Sequence, residues 1–167
     1  MINKEQVLSD LDRSTDELIQ QLLSCDEKDF NKSPGDNRWT VAMVAQHILI
    51  LETQVNWAFQ KAVKTDRAVD GKLLFVTKGL DNLDKKFVAP DFIVPTTDDK
   101  DRHELLDAIK KQRNILRQII QTTDLEETPT YKHPVIGDMT RLEWIYFNIH
   151  HAQRHLRQLQ RAASSEK

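Results

Sequence analysis

Apolar residues recur at helical spacing in four long segments of the chain. The first stripe begins at Val7 and ends at Leu22, with its apolar side chains on one face of a helix. Asn3 can cap this segment, and Gln6, three residues later, can complete a capping box. The pattern predicts a helix at about residues 4–24.

The second segment follows residues 31–38, which are rich in Pro, Gly, Asp and Asn and are therefore predicted to form a loop. Thr40 can cap a helix at about residues 41–63, which carries one broad apolar face. His47 lies on that face. Its side chain is therefore predicted to point inward.

The third and fourth segments begin at recognisable polar residues. Acidic side chains at residues 98–101 suit the positive end of a helix dipole, and the apolar positions that follow as far as Ile120 predict a third helix. Thr140 and Glu143 match a capping box. The fourth helix is predicted to run from there to about Ala163.

Residues 64–98 connect the second and third helices, which is a long connection for a helical bundle. Loops of this length contain structure of their own, serve as lids or are disordered, and the apolar content here argues against disorder. The sequence predicts a short helix near Lys72–Leu83, followed by an extended stretch laid across the other helices.

The composition favours an all-α protein over a β-sandwich or barrel. The 167 residues include only 4 Gly and 5 Pro, which are few for the turns of a β-fold, and 30% are charged. This length suits one domain, predicted to span residues 1–167. The formal net charge of −2 provides no general attraction to phosphate, so nucleic acid is not an expected partner.

The sequence also predicts a cytoplasmic protein with no membrane partner. No apolar stretch follows a basic start at the N-terminus, and no uncharged run approaches the ~18 residues that a membrane span needs. The single cysteine, Cys25, cannot form an internal disulfide, which agrees with a reducing compartment.

Three histidines are candidate metal ligands. His151 and His155 lie four residues apart in the predicted fourth helix, so both imidazoles share one face and can bind a single metal ion. His47 on the second helix can supply a third nitrogen ligand. Random placement of 6 histidines gives about 0.2 such pairs, so the pair needs further support. A lone histidine on an apolar face is more often a hydrogen-bonded core residue, and this alternative stays open for His47.

A helical projection places His151 and His155 about 40° apart, at the border of the apolar stripe. Asn148 and Gln158 fall within reach of them as hydrogen-bond partners of the imidazoles or of a substrate. Arg154 belongs to a neighbouring basic stripe, which is either a solvated face or an anion-binding surface. It is the candidate for binding a substrate carboxylate.

The remaining aromatic and histidine side chains have simpler explanations. The three tryptophans are predicted to be core and rim residues: Trp39, Trp57 and Trp144. His103 and His133, at or before helix starts, are predicted to be exposed.

Taken together, the motif residues resemble the DinB-like superfamily of small bacterial proteins. The pattern consists of an aromatic–threonine pair before the second helix, a histidine on that helix, and two histidines and a glutamine on the last: Trp39, Thr40, His47, His151, His155 and Gln158. Residues 133–144 are similar to a segment that precedes the histidine pair in one uncharacterised branch of this superfamily.

The resemblance implies a four-helix bundle with a long crossover between helices 2 and 3, often forming a homodimer. It also implies a divalent metal ion, zinc, nickel or similar, held by three histidines, which here are His47, His151 and His155. Characterised relatives include transferases and isomerases that use bacillithiol, mycothiol or glutathione, while many others have no assigned reaction. A low-molecular-weight thiol and a small-molecule substrate are therefore the expected partners.

Three neutral imidazoles leave the charge of a dication uncompensated and a coordination position open, which lowers the pKa of a bound water or thiol. No carboxylate general base is evident, because Glu143 is used in its cap and Glu52 lies off the face of His47. This favours a metal-dependent thiol transferase. A metal-dependent hydrolase and a non-catalytic, metal-stabilised binding or dimerisation module are the alternatives, and no catalytic residue beyond the ligands is assigned.

Overall fold

Four long helices and a helical crossover build the protein. The computed structural model describes residues 2–35, 37–66, 70–85 and 87–165. The elements in chain order are α1 (Lys4–Ser24), α2 (Glu27–Phe30), α3 (Val41–Ala58), β1 (Ala62–Val63), α4 (Asp70–Asp81), a 3-10 turn (Asp91–Ile93), α5 (Arg102–Thr122), β2 (Thr128–Pro129) and α6 (Arg141–Ser165).

The long helices form a four-helix bundle, as predicted. Helices α1 and α3 each pack against both α5 and α6, which places α1 and α3 at opposite corners. Helix α4 lies in the crossover between α3 and α5 and packs on α6. Within the described ranges, no helix combines the length and the apolar character that crossing a membrane requires.

The helix starts agree with the predicted caps. The amide of Glu143 donates to Thr140 Oγ1 over 3.3 Å and the amide of Thr140 donates to the Glu143 carboxylate over 2.8 Å, so the capping box is confirmed. Asn3 accepts from the amide of Gln6 over 3.2 Å. The side chain of Gln6 does not complete that box, because it donates to Asp10 at 3.1 Å.

Helix α3 ends at Ala58, five residues before the predicted end at residue 63. The helical prediction was wrong here because distant segments bind the backbone of this stretch. The guanidinium of Arg141 donates to the carbonyl of Phe59 at 2.9 Å. Ala62–Val63 pairs antiparallel with Thr128–Pro129 to form a two-stranded ribbon.

The crossover contains the predicted short helix, shifted by two residues to Asp70–Asp81. After it, residues 87–90 form no regular element and lead into the 3-10 turn, Asp91–Ile93. Ile93 is buried and contacts the core that α3 and α6 share with the other helices. The crossover therefore reaches the region between the two helices that carry the candidate histidines.

Candidate metal centre

The three candidate histidines meet between α3 and α6. His47 Nε2 lies 3.1 Å from His151 Nε2, and His155 Nε2 lies 3.2 Å from the same atom. One nitrogen from each ring falls within 4.8 Å of the others. Among the described residues, this is the one group of three or more His, Cys, Asp or Glu side chains arranged to hold a metal ion.

A backbone contact determines the tautomer of His47. Its Nδ1 lies 2.8 Å from the carbonyl oxygen of Ile93. A carbonyl only accepts, so Nδ1 carries the proton and donates, and Nε2 keeps a free lone pair. Metal-binding histidines are commonly oriented by a hydrogen bond of this kind.

The geometry and charge of the group fit a divalent transition metal. With metal–nitrogen bonds of about 2.0–2.1 Å, ligand nitrogens lie about 2.9 to 3.4 Å apart in octahedral or tetrahedral sites. The separations of the His47 and His155 nitrogens from His151 Nε2 fall in that interval. Burial lowers the pKa of His47, holds that of His151 well below its ordinary value, and lowers that of His155 to about 3. The imidazoles are therefore neutral and available as ligands near pH 7.

Aromatic rings flank the histidines. The ring of Trp39 is centred 4.9 Å from that of His47 and stacks at 6.5 Å on that of His155. Phe147, one turn before His151, stacks on it at 5.7 Å. Trp39 is half-buried, so it forms a partly accessible apolar edge of the group.

The other two tryptophans lie in opposite environments, and only Trp144 is in the core. Trp144 is 1% exposed and belongs to the core, whereas Trp57 is 71% exposed on α3. The ring of Trp144 packs against those of Tyr131, His133 and Phe147.

Two predicted hydrogen-bond partners lie on α6 beside the histidines. Gln158 hydrogen-bonds to His155 through its side chain. Asn148, three residues before His151, is buried, and neither its amide oxygen nor its amide nitrogen has a partner in the described part of the chain. A buried amide without a partner lowers the stability of the fold, so a functional role for Asn148 would explain why it is there. Its role stays a prediction.

The basic stripe of α6 holds the crossover. Arg154 is buried and donates to three backbone carbonyls at and after the end of α4: those of Leu80, Asn82 and Lys85. Two further arginines form ion pairs with the same region: Arg157 with Asp81 at 3.1 Å, and Arg161 with Asp84 at 2.9 Å. The structure therefore uses Arg154 to fasten the crossover to α6, and a role for it in binding substrate stays a prediction.

Glu143 and Glu52 each bind partners other than the three histidines. Glu143 is held in the cap of α6. Glu52 is buried and accepts two hydrogen bonds from Arg113, at 2.9 and 2.5 Å. Arg113 also donates to Ser14 at 3.3 Å, so this ion pair joins α3 and α5 to α1.

His133 is half-buried, so the prediction that it is exposed was wrong. Its Nδ1 accepts from the amides of Val135 and Ile136, each at 3.1 Å, and its ring packs 4.9 Å from that of Phe147. Burial lowers its pKa to about 4. The signal that the sequence offered is Gly137, whose positive φ of 80° closes the loop on His133. His103 is exposed, as predicted.

Comparison with known proteins identifies the family of the chain. The sequence profile of the DinB superfamily matches residues 10–159, and the chain belongs to that family. It is 24% identical over 148 residues to the uncharacterised protein YuaE of Bacillus subtilis strain 168, a match that covers 86% of this chain and 88% of YuaE.

Two solved structures share the fold. TT2238, described as a four-helix bundle protein, superimposes with a TM-score of 0.61 and 19% identity, covering 95% of this chain and 99% of its own. YfiT from Bacillus subtilis, described as "a probable metal-dependent hydrolase with an unusual four-helix bundle topology", gives a TM-score of 0.63 and 13% identity, covering 99% of this chain and 90% of its own.

Proposed function

We propose that this protein is a metal-dependent enzyme in which His47, His151 and His155 hold one divalent transition-metal ion. The observation that carries the proposal is the convergence of three ring nitrogens, with separations from His151 Nε2 of 3.1 and 3.2 Å. Membership of the DinB superfamily and the metal dependence ascribed to YfiT support it. Zinc, nickel or a similar ion suits a set of neutral nitrogen ligands.

In the proposed reaction, the sulfur of a low-molecular-weight thiol bonds to an electrophilic carbon of a small molecule, the thiol proton passes to solvent, and the group that the sulfur displaces leaves. A divalent metal, when bound, supplies Lewis acidity that lowers the pKa of a thiol or water near it. The chain's own residues hold the ligands in place: the carbonyl of Ile93 keeps the proton of His47 on Nδ1, and Gln158 hydrogen-bonds to His155. The half-buried Trp39 offers an apolar edge beside two of the ligand rings.

Among the described residues, no carboxylate joins the three histidines in the group of ligand atoms, which favours thiol transfer over hydrolysis. Hydrolysis requires a group that takes a proton from water. Glu52 is bound to Arg113, and Glu143 is held in the cap of α6. A thiol near a metal ion loses its proton more readily than water does. A metal-dependent hydrolase is the second candidate, since the structurally similar YfiT is described as one.

Three further points belong to the proposal. We expect Asn148 to orient an imidazole or a substrate, since its buried amide has no partner among the described residues. A homodimer and a cytoplasmic location are expected from the sequence and the family.

An assay of the metal-loaded protein with a panel of thiols and electrophiles tests the function. Turnover that requires both metal and thiol, and that is lost in His151→Ala, would support the transferase. The matched control is His103→Ala, which removes an exposed histidine outside the group. Thiol-independent ester or amide cleavage that is lost in His151→Ala would favour the hydrolase. Turnover that survives His151→Ala would contradict a metal-dependent mechanism.

A further inference from the structure

A short part of the crossover, residues 91–96, is fastened to α3 on both sides of the contact with His47. We name this segment the strap. The side-chain amide of Gln54 donates to the carbonyl of Phe92 at 3.1 Å. The side-chain oxygen of Gln46 accepts from the amide of Thr96 at 2.9 Å, and the Gln46 amide also lies 3.3 Å from the Thr96 hydroxyl.

Between these two attachments lies the carbonyl that binds His47. Ile93 is buried, its amide donates to the carbonyl of Pro90 at 3.0 Å, and its carbonyl accepts from His47 Nδ1 at 2.8 Å. The carbonyl is therefore placed by a turn whose two ends are tied to α3.

The two glutamines and the histidine belong to one helix. Gln46 directly precedes His47, and Gln54 lies two turns after it. Because α3 carries both attachments, moving the turn that carries the Ile93 carbonyl away from His47 breaks at least one of these hydrogen bonds. Neither glutamine belongs to the group of ligand atoms.

We infer that Gln46 and Gln54 are positioning residues of the metal site, which set its metal affinity by holding the Ile93 carbonyl against His47 through the strap. The inference rests on the proposed metal site. A hydrogen bond to the second nitrogen of a ligating histidine fixes the ring and raises its basicity, and its loss typically costs about 10–100-fold in metal affinity. By linkage, a bound metal ion also stabilises the attachment of the strap to α3.

The test measures Zn²⁺ affinity by competition with a chromophoric chelator, using untagged protein. The double variant Gln46→Ala/Gln54→Ala is expected to bind Zn²⁺ about tenfold more weakly than the wild type. The matched control is Gln21→Ala, which removes a glutamine–glutamine hydrogen bond of 2.9 Å to Gln160, on the face of α6 opposite the histidines. The Zn²⁺ affinity of Gln21→Ala is expected to stay within about twofold of that of the wild type.

Amide hydrogen exchange of the strap gives a second readout. Zn²⁺ is expected to slow exchange at residues 91–96 in the wild type and to have a smaller effect in the double variant. The single variant Gln54→Ala, which keeps the attachment through Gln46, is expected to fall between the two. The comparison of the wild type with Gln54→Ala tests the inference even if the double variant is poorly folded.

The outcomes separate this inference from the proposed function. Equal Zn²⁺ affinity in the wild type and in the glutamine variants would overturn the positioning role and leave the metal site intact. Failure of the wild type itself to bind Zn²⁺ would overturn both. A loss of affinity in Gln21→Ala as large as that in the strap variants would also overturn the positioning role, because the effect would then be general.

Discussion

His47 Nε2 and His151 Nε2 lie 3.1 Å apart, although 104 positions separate the two residues along the chain. The contact joins α3 to α6 and exists only when both helices are packed. An ion held there would bind the native state and have no equivalent site in the unfolded chain, so metal binding and folding are coupled.

The first prediction follows from that coupling. Free metal at 100 times its dissociation constant stabilises the native state by about 2.7 kcal/mol, which corresponds to several degrees in melting temperature for a chain of this size. Thermal melts with Zn²⁺ and with a chelator measure the shift. The shift should persist in His103→Ala and disappear in His155→Ala; a full shift in His155→Ala would count against the site.

A second prediction concerns the capping box of α6. Thr140→Ala removes the acceptor for the amide of Glu143, so the free energy of unfolding should fall by about 1 kcal/mol while metal binding is kept. Denaturant unfolding measures the loss. Thr53→Ala is the control, because the Thr53 hydroxyl donates to the carbonyl of Leu49 in its own helix and caps no helix start. Equal effects of the two substitutions would show that the cap contributes nothing.

The helix starts could be predicted because the signals for them come from residues close together in the sequence. A cap depends on residues three positions apart, as at Thr140 and Glu143, and periodicity depends on side chains of the same helix. The end of α3 could not be predicted in this way. Ala62–Val63 is strand because it pairs with Thr128–Pro129, which lies more than sixty residues further along the chain.

In the candidate site, too, local relationships could be predicted from the sequence and distant contacts could not. The pair His151 and His155 follows from helical spacing. His47 was proposed as the third ligand from its place on the apolar face of the second helix, and the family resemblance supported it. The partners of Arg154 could not be found from sequence, because they are backbone carbonyls of the crossover, 69 to 74 positions away. The contact between His47 and the Ile93 carbonyl was missed for the same reason.

The third prediction concerns the buried ion pair of Glu52 and Arg113. Each side chain is 3% exposed, and breaking such a pair leaves an uncompensated charge in the interior at a cost of about 3–5 kcal/mol. Arg113→Met alone should therefore be strongly destabilising in urea unfolding. Adding Glu52→Leu should restore much of the loss, because no buried charge then remains. A double variant no more stable than the single one would contradict this account.

A fourth prediction concerns the pH dependence that His133 contributes. Burial lowers its pKa to about 4 from an ordinary value of 6.5, so the unfolded chain takes up this proton first as the pH falls. The contribution of His133 to stability is therefore complete above about pH 6.5 and is lost as the pH falls towards 4.

Urea unfolding of the wild type and of His133→Asn at pH 7 and pH 5 checks this contribution. The asparagine oxygen can still accept a loop amide but does not titrate. The stability of the wild type relative to His133→Asn should decrease between pH 7 and pH 5. A difference that is independent of pH would show that the ring is not held neutral by the fold.

The metal content of the purified protein tests the central claim most directly. Elemental analysis of protein prepared without a histidine tag should find about one divalent transition-metal ion per chain in the wild type and in His103→Ala. His47→Ala and His155→Ala should each lose most of it, because His47 and His155 supply ligand nitrogens from different helices. Equal metal content in all four proteins would contradict the three-histidine site.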